Sequence, residues 1–300
     1  MAAQRSRSND RTYELIDSGG CRKLERFGPY HIVRPCAQAI WTQRKDSALW
    51  DHADAVFERR KGYHWHFTTA LPQSWDITVE GITFRLSTTD FGHLGIFPEQ
   101  RTLWTWIRER VKQAIKKPAD PISVLNLFAY SGGATLAAAL EGARVCHLDA
   151  SKGMVRWAKE NAALNGLSSA PIRWIVDDVN RFLDRELRRG RRYDAIVLDP
   201  PTYGHGKNKE VYKIERELTS TVQKCWLLLT DRPLFMILTS HTPACSPVGL
   251  NNILTSTAGT TQPLHLECGE MLLTGDSSVL PVPSGTYCRW VPEDVNSNQT

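Results

Sequence analysis

Through the second half of the chain, short apolar runs alternate with longer stretches whose apolar positions recur every three or four residues. Ile122–Leu127, Arg144–Leu148, Ile172–Val176, Ala195–Leu198 and Leu234–Thr239 read as short strands. Between them, helical spacing predicts an alanine-rich helix ending near Glu141-Gly142, then Ser151–Leu164 with Ser151 as its N-cap, Asn180–Arg189 and Lys207–Leu229. A further helix, Arg101–Lys117, precedes them, with Leu103, Trp106, Ile107, Val111 and Ile115 on one face. Strands alternating with helices predict an α/β fold, with a mostly parallel sheet covered on both faces. Leu264–Trp290 turns strand-like again, with Pro283-Ser284-Gly285 as a turn, and predicts a C-terminal antiparallel hairpin. A polar tail begins at Pro292.

Upstream of residues 85–100 the texture is different. Segments are short, aromatic and broken by Ser18-Gly19-Gly20, Gly28-Pro29 and Glu80-Gly81. Ile77–Val79 and Ile82–Leu86 flank Glu80-Gly81 as the arms of a hairpin. The expected organisation is a small β-rich accessory region over 10–87, the α/β domain over 88–292 and a loose tail over 293–300.

Composition narrows the classes. A chain of 300 residues that is 41% hydrophobic and 23% charged can bury a core without staples. Seven cysteines without a CxxC pair indicate neither a disulfide framework nor a zinc ribbon, and a reducing, cytoplasmic setting is expected. No apolar run approaches the roughly 20 residues of a membrane span, and MAAQRSRSND lacks a signal peptide's apolar core. No membrane partner is expected. The net charge of +5 is mild, but residues 233–300 hold Arg289 alone against Glu267, Glu270, Asp276, Glu293 and Asp294. Positive charge is therefore concentrated in the preceding body, where it can steer a polyanion.

In a doubly wound sheet, ligands sit beyond the carboxyl ends of the strands. Asn126-Leu127-Phe128-Ala129-Tyr130-Ser131-Gly132-Gly133 follows the first strand, and its glycines permit close approach of a ligand to a helix N-terminus. Asp149 follows the second strand, where a carboxylate can accept both hydroxyls of a ribose. Asp177 and Asp178 follow the third, placed for an adenine edge or for helix capping. Asp199-Pro200-Pro201-Thr202-Tyr203-Gly204 follows the fourth, where two prolines stiffen the strand exit. A dinucleotide-binding oxidoreductase would show GxGxxG, which this turn does not.

On these motifs, residues 88–292 resemble the class I S-adenosylmethionine-dependent methyltransferases. NLFAYSGG is similar to their cofactor loop, HLDASKGMVRWAKENAALNGL (147–167) to their ribose-binding strand and helix, and LDPPTYG (198–204) to their catalytic motif. Within the class, the chain resembles bacterial 23S ribosomal RNA methyltransferases that modify cytosine C5 or guanine. Phe97-Pro98-Glu99-Gln100-Arg101 is similar to the segment that precedes their catalytic domain. The resemblance implies a Rossmann-like class I methyltransferase sheet and S-adenosylmethionine as cofactor. It also implies a cofactor pocket of Gln100, Asn126, Phe128, Tyr130, Gly132, Asp149, Ser151 and Asp178. Asp199 and Pro200 would face the accepting atom, with Tyr203 stacking on a base.

Attack on cytosine C5 needs a thiolate just after the fifth strand, yet Thr239-Ser240-His241 stands there, with Cys245 beyond it and Cys225 in a helix. N-methylation of a ribosomal RNA base is therefore the expected reaction. A protein or small-molecule acceptor, or a non-catalytic cofactor-binding RNA or assembly factor, is the alternative. Lys207 and Lys209 are expected to touch RNA phosphates. The arginines of 185–192 read as a solvated helix end, His93 and the N-terminal tryptophans as packing, and His64 and His66 lack a third partner for a metal.

Overall fold

The computed structural model describes residues 12–59, 62–115, 121–205 and 211–293. Lys207 and Lys209, and the first turns of the helix expected from Lys207, lie outside them. The chain divides into two compact units: residues 1–101 with 272–284, and 102–271 with 285–300.

The first unit opens with strands β1 (Tyr13–Gly19), β2 (Arg22–Phe27) and β3 (Tyr30–Pro35). Helix α1 (Ser47–Asp51), β4 (Ala55–Glu58) and β5 (His64–Phe67) complete a five-stranded sheet in the order β1-β2-β3-β4-β5. β6 (Trp75–Val79) and β7 (Ile82–Leu86) form the hairpin read from the sequence. Glu80 and Gly81 both take positive φ, 48° and 74°, so a two-residue turn whose twist matches the strands closes it. Inside this unit, Glu25 is fully buried and accepts from Arg34 Nε at 2.8 Å, Arg34 Nη2 at 2.9 Å and the Tyr13 hydroxyl at 3.1 Å. Residues 272–284 return to the unit: Arg101 donates to Thr274, and Lys45 Nζ donates to Ser278 Oγ at 2.7 Å.

A short 3-10 turn, Pro98–Gln100, leads into α2 (Arg101–Ala114). Then β8 (Ser123–Leu127), α3 (Gly133–Leu140), β9 (Arg144–Asp149), α4 (Lys152–Leu164), β10 (Ile172–Val176), α5 (Val179–Arg188) and β11 (Ala195–Leu198) alternate. β12 (Tyr203–His205) and β13 (Val211–Lys213) form a small hairpin ahead of α6 (Ile214–Leu227) and β14 (Phe235–Ser240). The chain continues with α7 (Pro247–Thr257), β15 (Leu266–Leu273) and β16 (Val282–Trp290).

The large sheet runs β10-β9-β8-β11-β14-β16-β15, parallel from β10 to β14 and antiparallel at β16. Every residue of β11 and β14 is buried, as expected of parallel strands covered on both faces. Leu125, Leu127, Ile196, Leu198, Met236 and Leu238 form the heart of the core.

Three readings change. Within its described residues, the expected Lys207–Leu229 helix begins as the hairpin strand β13 and becomes helical only at Ile214. Pro283-Ser284-Gly285 lies inside β16 rather than in a turn. The glycine there marks close approach: a Cβ at Gly285, whose φ is +140°, would meet Met271 Cε at 2.6 Å and His241 Nδ1 at 3.0 Å. Cys268 and Cys288 are joined as a disulfide, against the expectation from the cysteine count. They lie 20 residues apart on neighbouring strands with Cα atoms 4.0 Å apart, a proximity created by the sheet.

Candidate active site

The chain winds outward from β8 in both directions, through β9 and β10 on one side and β11 and β14 on the other. The crevice of such a sheet opens where the winding reverses, here beyond the carboxyl ends of β8 and β11. Leu127 and Leu198 pair in register, so Phe128 and Asp199 leave the two strands side by side.

The β8–α3 turn is tightly wound. Phe128 and Tyr130 take φ of 55° and 49°, and Gly132 takes 97° as the N-cap of α3. The turn is held from both sides: Ala129 N donates to Leu148 O at 3.0 Å, and Asn161 Nδ2 of α4 donates to Ser131 O at 2.9 Å. A Cβ on Gly132 would stand 3.2 Å from Ala158 Cβ. At Gly133 it would enter the Trp104 ring at 2.7 Å. The first glycine therefore serves backbone conformation, and the second serves packing.

Asp149 closes β9. Its Oδ2 accepts from Tyr130 N at 2.9 Å and its Oδ1 from Ser151 N at 2.8 Å. Burial raises its pKa, and those two N–H groups work against the rise. Each oxygen keeps a lone pair for a further donor. Ser151 caps α4, its Oγ accepting from Met154 N at 3.3 Å. Asp178 caps α5, its Oδ1 accepting from Arg181 N at 2.9 Å. Asp177 holds Arg185 Nη1 at 2.7 Å.

Asn126 points inward. It is buried and donates to Thr135 Oγ1 at 2.9 Å, and that hydroxyl lies 2.9 Å from His147 Nδ1. Burial pushes the pKa of His147 down to about 3, so the ring is neutral, and its Nε2 has no hydrogen-bond partner among the described residues. This polar column stands beneath Gly132, whose Cβ position is 3.8 Å from His147 Cε1.

On the β11 side, Asp199 Oδ2 lies 3.5 Å from His241 Nε2, at the exit of β14. Pro200 is buried behind it. Thr202 and Thr242 hydroxyls bond at 2.7 Å and tie the two strand exits together. Tyr203 is 52% exposed, with Lys213 Nζ 6.0 Å from its ring centre. Phe128 meets Tyr212 edge-on at 4.9 Å.

Of the residues singled out from the sequence, Phe128, Tyr130, Gly132, Asp149, Ser151, Asp178, Asp199, Pro200 and Tyr203 lie on strand exits or helix starts at this edge. Asn126 lies beneath it, and Gln100 ends the 3-10 turn of the first unit. His241 and Asn161 had no assigned part in the site read from the sequence, and Gly285 was read only as part of a turn. Asn161 stood inside the quoted α4 motif, and an amide three residues after Ala158, on the apolar face of the helix, was the available signal.

These residues fit a nucleoside cofactor bearing a carboxylate. Gly132 leaves the helix start bare, the first N–H groups of α3 lack intrahelical acceptors, and Asp149 has acceptor capacity for hydroxyls. Sheet order, antiparallel β16 and strand-end carboxylates together define a class I methyltransferase. A family model described as S-adenosylmethionine-dependent methyltransferase matches residues 56–266, and the chain belongs to that family. S-adenosylmethionine is accordingly its cofactor.

The chain is similar to a solved S-adenosylmethionine-dependent methyltransferase from Agrobacterium tumefaciens, 37% identical, with TM-score 0.88 over 94% of this chain and 90% of the other. A methyltransferase solved with S-adenosylhomocysteine shares the fold at 18% identity, with TM-score 0.73 over 95% of this chain and 76% of the other. In sequence the chain is 34% identical over 169 residues to ribosomal RNA large subunit methyltransferase K/L of Shewanella frigidimarina, covering 54% of this chain and 22% of the relative. The chain thus spans about a fifth of the length of the curated relatives it matches. Among the described residues no helix is long and apolar enough to cross a membrane.

Proposed function

We propose that the protein methylates a nitrogen of a ribosomal RNA base in the cytoplasm. The observation that carries this reading is Asp199, leaving β11 beside the β8 turn with His241 Nε2 3.5 Å from its carboxylate. S-adenosylmethionine supplies a methyl group on a positively charged sulfur, open to in-line attack by a nitrogen lone pair. Asp199 accepts a hydrogen bond from the attacking N–H, orients its lone pair and receives the departing proton, with His241 beside it as a further acceptor. Tyr203 offers an exposed ring for base stacking, and Lys213 adds positive charge over that ring.

Asp149 is assigned to the ribose hydroxyls, and Gly132 with the α3 amides to the carboxylate end. Phe128, Tyr130, Ser151 and Asp178 form the rim, and Asn126 supports the turn through Thr135 and His147. A thiolate route is disfavoured. Cys225 is fully buried and burial pushes its thiol pKa far up, while Cys245 lies beyond Thr242 on the way to α7. The names of the ribosomal RNA relatives support the substrate class.

The test is transfer of labelled methyl from S-adenosylmethionine to naked 23S and 16S rRNA and to assembled subunits. RNA should be labelled by the wild type. Asp199→Ala should lose at least a hundredfold in turnover while cofactor affinity stays within a few-fold. Label in protein or small molecules, with none in RNA, would overturn the substrate.

A further inference from the structure

The parallel strands share one direction, so their amino ends form an edge opposite the methyl-transfer end. At that edge lies a cleft of about 320 Å³, lined by Arg144 at the start of β9, Pro171 ahead of β10, Arg173 in β10, and Arg191, Arg192 and Tyr193 leading into β11. Four arginines from three separate strand entries converge on one concavity.

Their neighbours decide what that charge is for. Glu186 is buried and holds Arg173 through Nη1 at 3.1 Å and Nη2 at 3.3 Å, while Tyr193 donates to it at 2.7 Å. Burial opposes the charge of Glu186, but these donors outweigh it and keep its pKa below the ordinary value. The carboxylate therefore sets the Arg173 guanidinium and, through Arg189 at 3.5 Å, the end of α5. Asp194 is occupied as well, by Ser123 N at 2.8 Å and the Thr230 hydroxyl at 3.1 Å. Arg144, Arg191 and Arg192 have no carboxylate within 4 Å among the described residues. They are exposed around a wall formed by Val145, Cys146 and Pro171. A guanidinium cluster over such a wall suits an oxyanion, because each planar fork can bind two phosphate oxygens.

We infer that this cleft binds backbone phosphates of the RNA substrate, as a second contact remote from Asp199. The inference rests on the RNA reading above. Five-residue strands span about 17 Å, so the phosphates held here belong to nucleotides several positions from the target base. β10 is the free edge of the sheet, which leaves a path for a polynucleotide between the two ends. Such contacts position a strand without reading its sequence.

The experiment measures binding of a labelled ribosomal RNA fragment as a function of salt. It compares the wild type, Arg144→Gln/Arg191→Gln/Arg192→Gln, and a control that removes equal charge elsewhere, Lys112→Gln/Arg156→Gln/Lys159→Gln. S-adenosylhomocysteine affinity and melting temperature report that each variant is folded. The cleft variant should bind RNA at least tenfold more weakly near 0.1 M salt, with the salt slope reduced by about 2, while the control changes less than threefold. Methylation should show the loss mainly in KM. Equal effects in both variants, or none in either, would overturn the cleft while leaving the RNA reading intact. A wild type that neither binds nor methylates RNA would overturn both. Loss of inorganic phosphate binding with RNA affinity unchanged would make the cleft a site for free anions and also overturn the inference.

Discussion

His147 is an unusual residue to place under a cofactor turn. Its ring is fully buried, touches Trp174 at 4.8 Å between ring centres and takes its one described hydrogen bond at Thr135. Its pKa is pushed to about 3 by burial, against about 6.5 when unfolded. Between those values the unfolded chain binds the extra proton, so stability rises with pH across that window and is lost on acidification. Well below 6.5, each further pH unit should cost on the order of 1 kcal/mol through this ring. His147→Leu should flatten the dependence between pH 6.5 and 4.5 in denaturant titrations. Parallel curves for wild type and variant would refute the assignment. Asp149→Asn tests the neighbouring position: with one acceptor oxygen where two N–H groups are now received, cofactor affinity should fall at least tenfold by calorimetry. Unchanged affinity would remove Asp149 from the ribose role.

At the scale of elements, the strands and their carboxyl-end stations were legible because a buried parallel strand writes itself as an uninterrupted apolar run. Ala195–Leu198 is apolar throughout and emerges as β11 with the same bounds. The Glu80-Gly81 turn was legible because a two-residue hairpin needs positive φ at both positions. Helix α7 was not, although Ser246 caps it through Gly249 N at 3.1 Å and Pro247 opens it, because its buried face is only Leu250, Leu254 and Thr257, too few apolar positions to stand out among polar neighbours. The Asp199–His241 pairing was hidden for another reason: it joins exits of two strands separated by the hairpin and α6, and no local spacing encodes it. Gly285 shows how β16 enters the site. A side chain there would meet Met271, His241 and the Ser240 carbonyl. Gly285→Ala should therefore lower turnover at least tenfold by displacing His241, while cofactor affinity holds. An active variant with an unchanged pH–rate profile would show that β16 does not position His241.

For the whole molecule, acid should act on the two units in sequence. The second unit carries His147, whose contribution fades below about pH 6.5. The first carries Glu25. Burial opposes its charge, but Arg34 and Lys23 overcome that penalty and hold its pKa below the ordinary value. A carboxylate with a lowered pKa adds stability above its unfolded value of about 4.3 and loses it as pH falls through the folded one. Hydrogen exchange followed from pH 7 to 4.5 should loosen residues 123–257 before residues 13–86, and the reverse order would contradict the account. The division itself could not be read from composition, since a break near residue 87 suggested consecutive domains. Instead the first unit includes 272–284, where Gly275 lies so close to the Leu15 carbonyl that a Cβ would come within 2.0 Å. During synthesis, then, the amino-terminal unit cannot close when its own strands emerge. It must wait, one segment short, until residues 102–271 have been translated, and the second unit waits longer still, since residues 285–300, with most of β16, emerge only after that segment.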